Sequence, residues 1–192
     1  MNGHASLNRR CFLTASGTAT LSAAAFGLIA GVPRLAAAQS GSMGRDVDIL
    51  NVALGLEHEA INAYQLGAQS GLLQKPVLDV AVLFQSHHKG HRDALIATIE
   101  KLGARPVAEK VLAEYARALN AGSLKNQSDV LDLAARLELG AANAYLGVIP
   151  AFKDANLAKV AARLAADETM HWTALAGALG RHLPGGALTF GA

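Results

Sequence analysis

Six residues able to hold a metal ion recur in register along this chain. Glu57-His58-Glu59-Ala60-Ile61-Asn62-Ala63-Tyr64 aligns with Glu138-Leu139-Gly140-Ala141-Ala142-Asn143-Ala144-Tyr145 at an offset of 81, keeping Glu, Ala, Asn, Ala and Tyr. His88-Lys89-Gly90-His91-Arg92-Asp93-Ala94-Leu95 aligns with Glu168-Thr169-Met170-His171-Trp172-Thr173-Ala174-Leu175 at an offset of 80, keeping the second His, the Ala and the Leu. One helical hairpin is written twice. Glu57, His88, His91, Glu138, Glu168 and His171 occupy equivalent places in that plan. Glu168-x-x-His171 and His88-x-x-His91 each put two side chains on one helical face about a turn apart. Two divalent cations need such oxygen and nitrogen donors converging from several helices.

The elements that must position these residues are helices. From Asp46 onward the pattern is helical almost throughout, rich in Ala and Leu and without a period-two run, so the fold class is all-α. A first helix is expected from about Asp46 to Gln69, ending at Gly71, and a second from Pro76 to Gly103, stopping before Arg105-Pro106. Residues 104–127 form a long connection holding a short helix over Val107–Leu119. Ser128 or Asp129 caps a third long helix reaching Pro150, and Asn156 opens a fourth ending at Gly180. Four helices of roughly 24 residues, each about 36 Å long, suit a four-helix bundle with one long crossover. The expected organisation is a signal segment at 1–38, a linker at 39–45, the bundle at 46–180 and a glycine-rich extended tail at 181–192.

Each long helix carries one inward stripe at bundle spacing. The stripes are Leu50, Ala53, Glu57, Ala60 and Tyr64; Val77, Phe84, His88, His91 and Leu95; Leu131, Ala134, Glu138, Ala141 and Tyr145; and Leu157, Leu164, Glu168, His171 and Leu175. Their polar members fall in the middle of apolar seams that hold no Lys or Arg. A buried carboxylate without a partner costs several kcal/mol, roughly, so something must compensate. Either metal ions do so, or the Glu and His side chains pair with one another in a metal-free network. His87 is an alternative to His88, at four-residue spacing from His91. His58 and Glu59 are expected at a helix contact or in solvent, and Trp172 in packing. Gly55, Gly90 and Gly140 each cost about 1 kcal/mol in a helix, which close helix approach near the site would explain.

Asn8-Arg9-Arg10-Cys11-Phe12-Leu13 is a twin-arginine export motif, followed by an apolar run at Leu21–Ala30 too short for a stable anchor. Ala36-Ala37-Ala38 offers small residues for cleavage after Ala38, so a periplasmic or otherwise exported protein is expected, touching the membrane only through its signal. The single cysteine, Cys11, lies in that signal, so the mature chain has neither a disulfide nor a thiolate ligand. Of the 17 basic residues, Arg9, Arg10 and Arg34 leave with the signal, whereas all 15 acidic residues stay, so acidic residues then exceed basic ones by one. The electrostatic case for nucleic-acid binding goes with them. No glycine-rich phosphate loop follows a strand.

The chain resembles, over about residues 46–180, the ferritin-like superfamily, including rubrerythrins and bacterioferritins, whose pattern is a glutamate on the first helix, an acid-x-x-His on the second, a glutamate on the third and Glu-x-x-His on the fourth. The run Arg92-Asp93-Ala94-Leu95 with Leu102-Gly103-Ala104-Arg105-Pro106-Val107 is similar to exported bacterial ferritin-like domains. The resemblance implies two divalent metal ions, iron first, with manganese or zinc as alternatives. It makes Glu57 and Glu138 terminal or bridging carboxylates, His91 and His171 nitrogen ligands and Glu168 a bridging carboxylate. Tyr64 and Tyr145 resemble tyrosines that hydrogen-bond such ligands. The departure is His88, where the family usually has glutamate. With three carboxylates rather than four, two divalent ions keep one net positive charge, which favours an added hydroxide, a single ion or a nitrogen-preferring metal. The functions expected are a di-metal centre reacting with oxygen or peroxide, a metal-binding or storage protein without turnover, or a stress protein with a vestigial site. A homo-oligomer is compatible with each.

Overall fold

The computed structural model of this chain describes residues 42–190. The twin-arginine motif, the apolar run and the expected cleavage at Ala38 lie outside the described residues. The helices are α1 (Ser42–Gln69), α2 (Lys75–Lys101), α3 (Leu112–Ala118), α4 (Gln127–Val148) and α5 (Ala155–Ala178), with 3-10 turns at Ala121–Ser123 and Ile149–Ala151. There is no strand among the described residues. None of these helices is long and apolar enough to cross a membrane.

Local chemistry sets the ends. Pro76 sits in the first turn of α2, where its missing N–H costs nothing. Asn126, rather than Ser128 or Asp129, caps α4 by accepting the Asp129 N–H at 3.0 Å. Asp154 caps α5 by accepting the Asn156 N–H at 2.7 Å. α1 begins at Ser42, four residues before the expected start, so Asp46 lies inside the helix. Its buried carboxylate accepts the N–H groups of Lys153 and Asp154 at 3.1 and 3.2 Å, tying α1 to the entry of α5. α2 closes where Gly103 takes φ +76°, which lets Ala104 N–H reach the Ile99 carbonyl at 3.1 Å.

The crossover is less helical than its sequence suggests, because α1 side chains capture its backbone. Val107 N–H donates to Asn51 Oδ1 at 2.7 Å, and the Val107 carbonyl lies 3.3 Å from His58 Nε2. Asn62 Nδ2 donates to Glu109 Oε1 at 2.6 Å. Helix therefore starts only at Leu112. His58 and Glu59 are buried beneath this strap.

α1 packs along α2, α4 along α5, and α1 against α4, with α3 strapped to α1. One apolar cluster surrounds Leu54 and Ile99 and reaches Tyr145; another joins Phe84, Leu131 and Leu175 to Tyr64. Burial of whole side chains such as Leu54 and Ile99, at about 1.5–3 kcal/mol each, is what holds the helices together. Close approach does not explain Gly55, Gly90 or Gly140, since a Cβ at any of them would meet nothing within 4 Å. The tight glycine within a helix is Gly67, whose Cβ would come 3.0 Å from Val130 Cγ1. Past Gly180 the chain is non-helical, and Phe190 lays its ring against the half-buried Trp172, centroids 5.1 Å apart.

Candidate metal centre

All six sequence-derived donors meet between the two apolar clusters. Glu57 comes from α1, His88 and His91 from α2, Glu138 from α4, and Glu168 and His171 from α5. Helical periodicity brings them inward: each sits on its helix's seam, and the seams face one another. Their ligand atoms form two groups, Glu57–His88–His91–Glu168 and His88–Glu138–Glu168–His171, within each of which the atoms lie inside 4.8 Å of one another. His88 and Glu168 belong to both. Glu57, His88, Glu138, Glu168 and His171 are at most 2 % exposed, and the His91 side chain 11 %.

His88 occupies the middle. Its Nδ1 lies 2.8 Å from Glu57 Oε2 and its Nε2 3.2 Å from Glu138 Oε1, with Glu168 Oε2 at 3.8 Å. Burial alone would strip the proton from His88, but the two carboxylates outweigh it and push its pKa up to about 11, so the imidazolium donates to both. His91, through Glu168 and Glu57, likewise rises against burial to about 10. Burial opposes ionisation of Glu57, yet His88 and His91 pull it down to about 2. Glu138, between His171 and His88, is held well below the usual carboxylate range in spite of burial. Glu168 goes the other way: burial dominates, Glu138 and Glu57 repel its charge, and its pKa rises.

Glu168 is the least satisfied group in the cluster. His91 Nδ1 and His171 Nδ1 are each 3.3 Å from one of its oxygens, but neither is aligned to hydrogen-bond, and both Glu168 oxygens and His91 Nδ1 are buried without a hydrogen-bond partner. Unpaired buried polar groups of this kind are expensive. A cation between the helices would satisfy them together, so the donor set fits a metal better than it fits a closed hydrogen-bond network.

The surrounding contacts repeat the twofold plan crosswise. Tyr64 on α1 donates to Glu138 on α4, and Tyr145 on α4 donates to Glu57 on α1. Each tyrosine thus holds the glutamate of the other repeat. Two residues, Asp167, which the sequence reading missed, and His87, which it weighed only in place of His88, do the same for the histidines. Asp167 Oδ2 accepts from His91 Nε2 at 3.1 Å, and His87 Nδ1 sits 2.9 Å from His171 Nε2. Burial and His171 lower the His87 pKa, so neutral His87 accepts the His171 proton. Asp167 and His87 are themselves 80 residues apart, the same offset as His88 and Glu168, and that spacing was the signal that could have found them. His87 is therefore not a substitute for His88 at the centre; it orients His171 from outside. Phe84 stacks on the His171 ring at 4.2 Å and Tyr64 on the His88 ring at 5.6 Å, which fixes both planes.

A family model for a ferritin-like domain matches residues 45–181. The crystal structure of a conserved hypothetical protein, rv2844, from Mycobacterium tuberculosis is similar at 21 % identity with a TM-score of 0.61, covering 77 % of this chain and 99 % of that one. At that identity the likeness speaks for the fold alone. No curated protein matches the chain.

Proposed function

Because the chain belongs to the ferritin-like family, we propose that it is a metalloprotein whose bundle core holds a dinuclear centre of divalent ions, iron first, with manganese or zinc as alternatives. The observation that carries this reading is the pair of donor groups sharing His88 and Glu168, with the Glu168 oxygens buried and unpartnered. Glu57, His88 and His91 would hold one ion and Glu138, His88 or Glu168, and His171 the other.

Bound iron or manganese would supply the one-electron chemistry toward oxygen or peroxide that no side chain here provides. The chain's own groups prepare the place for it. Tyr145 and Tyr64 keep Glu57 and Glu138 turned inward through their phenol protons. Asp167 takes the outer proton of His91 and His87 that of His171, leaving Nδ1 of each ring directed at the carboxylates. The apolar cluster around Leu54 and Ile99 closes the Tyr145 end against water. Before a metal enters, the protons on His88, His91 and His171 balance the carboxylates; metal binding must release them.

A second reading, binding or storage without turnover, is favoured by His88, because three carboxylates neutralise two divalent ions less completely than four. The twin-arginine motif at Asn8–Leu13 supports export to the periplasm. The test is titration of metal-free protein with Fe(II) under anaerobic conditions, followed by oxygen or peroxide. Binding of two ions with catalytic oxidant consumption supports the first reading, binding without consumption the second, and no stoichiometric binding contradicts both.

A further inference from the structure

At the Tyr64 end of the bundle the helices enclose a cavity of about 300 Å³, the lower end of the range for small-molecule sites. Its volume is roughly ten times the share of one liquid water. Lining positions on α2 run from Pro76 to Phe84, about 12 Å of helix, so the cavity spans more than two helical turns of the bundle. Val80, 41 % exposed, stands at its opening. Among the lining side chains only Tyr64 and Glu138 are polar, and they already hydrogen-bond each other. Phe84 belongs to the wall and stacks on His171, so the inner end abuts the Glu138–His171 half of the polar cluster.

The opposite end of the duplicated bundle is built differently. There Leu54, fully buried, and Ile96 pack into the apolar cluster around Tyr145; their equivalents at the open end are Ala135 and Ala176. An apolar void costs stability in proportion to its volume, which is offset when an apolar guest occupies it.

We propose that this cavity is a binding pocket for an uncharged aliphatic molecule, inserted tail first until its end meets Tyr64 and Glu138. No wall side chain offers a cation or a free donor for an anionic or hydrogen-bonding group inside, and burying such a group unpaired is unfavourable. The proposal goes beyond the metal reading and does not depend on it, because the walls stand without a metal.

The test is calorimetric titration of the full-length protein with 1-decanol, with and without added Fe(II), followed in parallel by fluorescence of Trp172, which packs beside this cluster. Wild type is expected to bind saturably at one site in both conditions. Ala134→Leu, which narrows the cavity, and Val80→Glu, which charges its opening, should each weaken binding at least tenfold while helical circular dichroism is retained. If Ala134→Leu does not fold, Val80→Glu decides, since an exposed position tolerates the change. Absence of saturable binding by wild type, or unchanged affinity in the folded variants, would overturn the proposal. Loss of Fe(II) binding would leave it standing and count only against the metal reading.

Discussion

The phenol of Tyr64 donates its proton to Glu138, a carboxylate 74 positions away on the other repeat. Tyr145 returns the arrangement to Glu57. Each half of the duplicated hairpin therefore supplies a carboxylate whose orientation is set by the other half, and neither half forms the polar cluster alone. Replacing Tyr64 or Tyr145 with Phe should cost about 2 kcal/mol of folding stability, the scale of a hydrogen bond to a charged group, and lower metal affinity roughly 10–100-fold. Denaturant unfolding and metal titration of the two variants check both figures. Equal stability and affinity in wild type and variants would show that the tyrosines only fill space.

Glu168 and Glu57 should respond oppositely in the absence of metal. Glu57 is paired with His88 and His91, so Glu57→Ala leaves buried imidazolium charge behind and is expected to destabilise the metal-free protein by about 3–5 kcal/mol. Glu168 has no hydrogen-bond partner of its own, so Glu168→Leu should leave metal-free stability unchanged or raise it. Both substitutions should abolish metal binding. Thermal melts with and without chelator separate the two behaviours.

Asp167→Asn removes the charge that orients His91 while leaving every proposed ligand in place. Metal affinity should fall roughly 10–100-fold with little change in metal-free stability, because the Asp167 side chain is half exposed. Isothermal titration with Mn(II) measures the change; an unaltered affinity would remove Asp167 from the site.

How far the sequence foretold this arrangement depends on what each residue's role rests upon. Glu57, Glu138, Glu168, His88, His91 and His171 were legible because helical periodicity alone decides that a seam position faces inward. Asp167 and His87 lie one residue off those seams, and their role arises only from how far they reach across the α2–α5 gap, although the offset of 80 contained the hint. For His58 and Glu59 the sequence offered a helix contact or solvent, because nothing local announces that the crossover will lie over them as an extended strap. Gly55, Gly90 and Gly140 suggested tight packing that does not exist, since composition shows a missing side chain but not the distance to its neighbour. The cavity had no signature in the sequence, because its walls are the same Ala, Val and Leu side chains that fill a packed seam.

The metal-free protein should be most stable between about pH 4.5 and 6.5. The Glu57 contribution is present above its unfolded value of 4.5 and is lost as pH falls through about 2. Those of His88 and His91 are complete below 6.5 and are lost as pH rises through about 11 and about 10. Glu168, raised by burial, draws the optimum toward the acid side of this window. Metal must displace protons from the imidazoles, so affinity, and the rise in Tm on metal addition, should increase with pH. Melting curves at about pH 5.5 and about pH 8, with and without Mn(II), test the sign; a larger metal-induced rise at the acid pH would contradict it.

Elemental analysis of protein purified from its native cells, beside the Glu138→Ala/Glu168→Ala variant prepared identically, decides whether the buried Glu and His cluster is a metal centre. Two equivalents of iron, manganese or zinc per wild-type chain and none in the variant are predicted. Wild-type protein free of stoichiometric metal, or equal metal in both, would contradict that assignment.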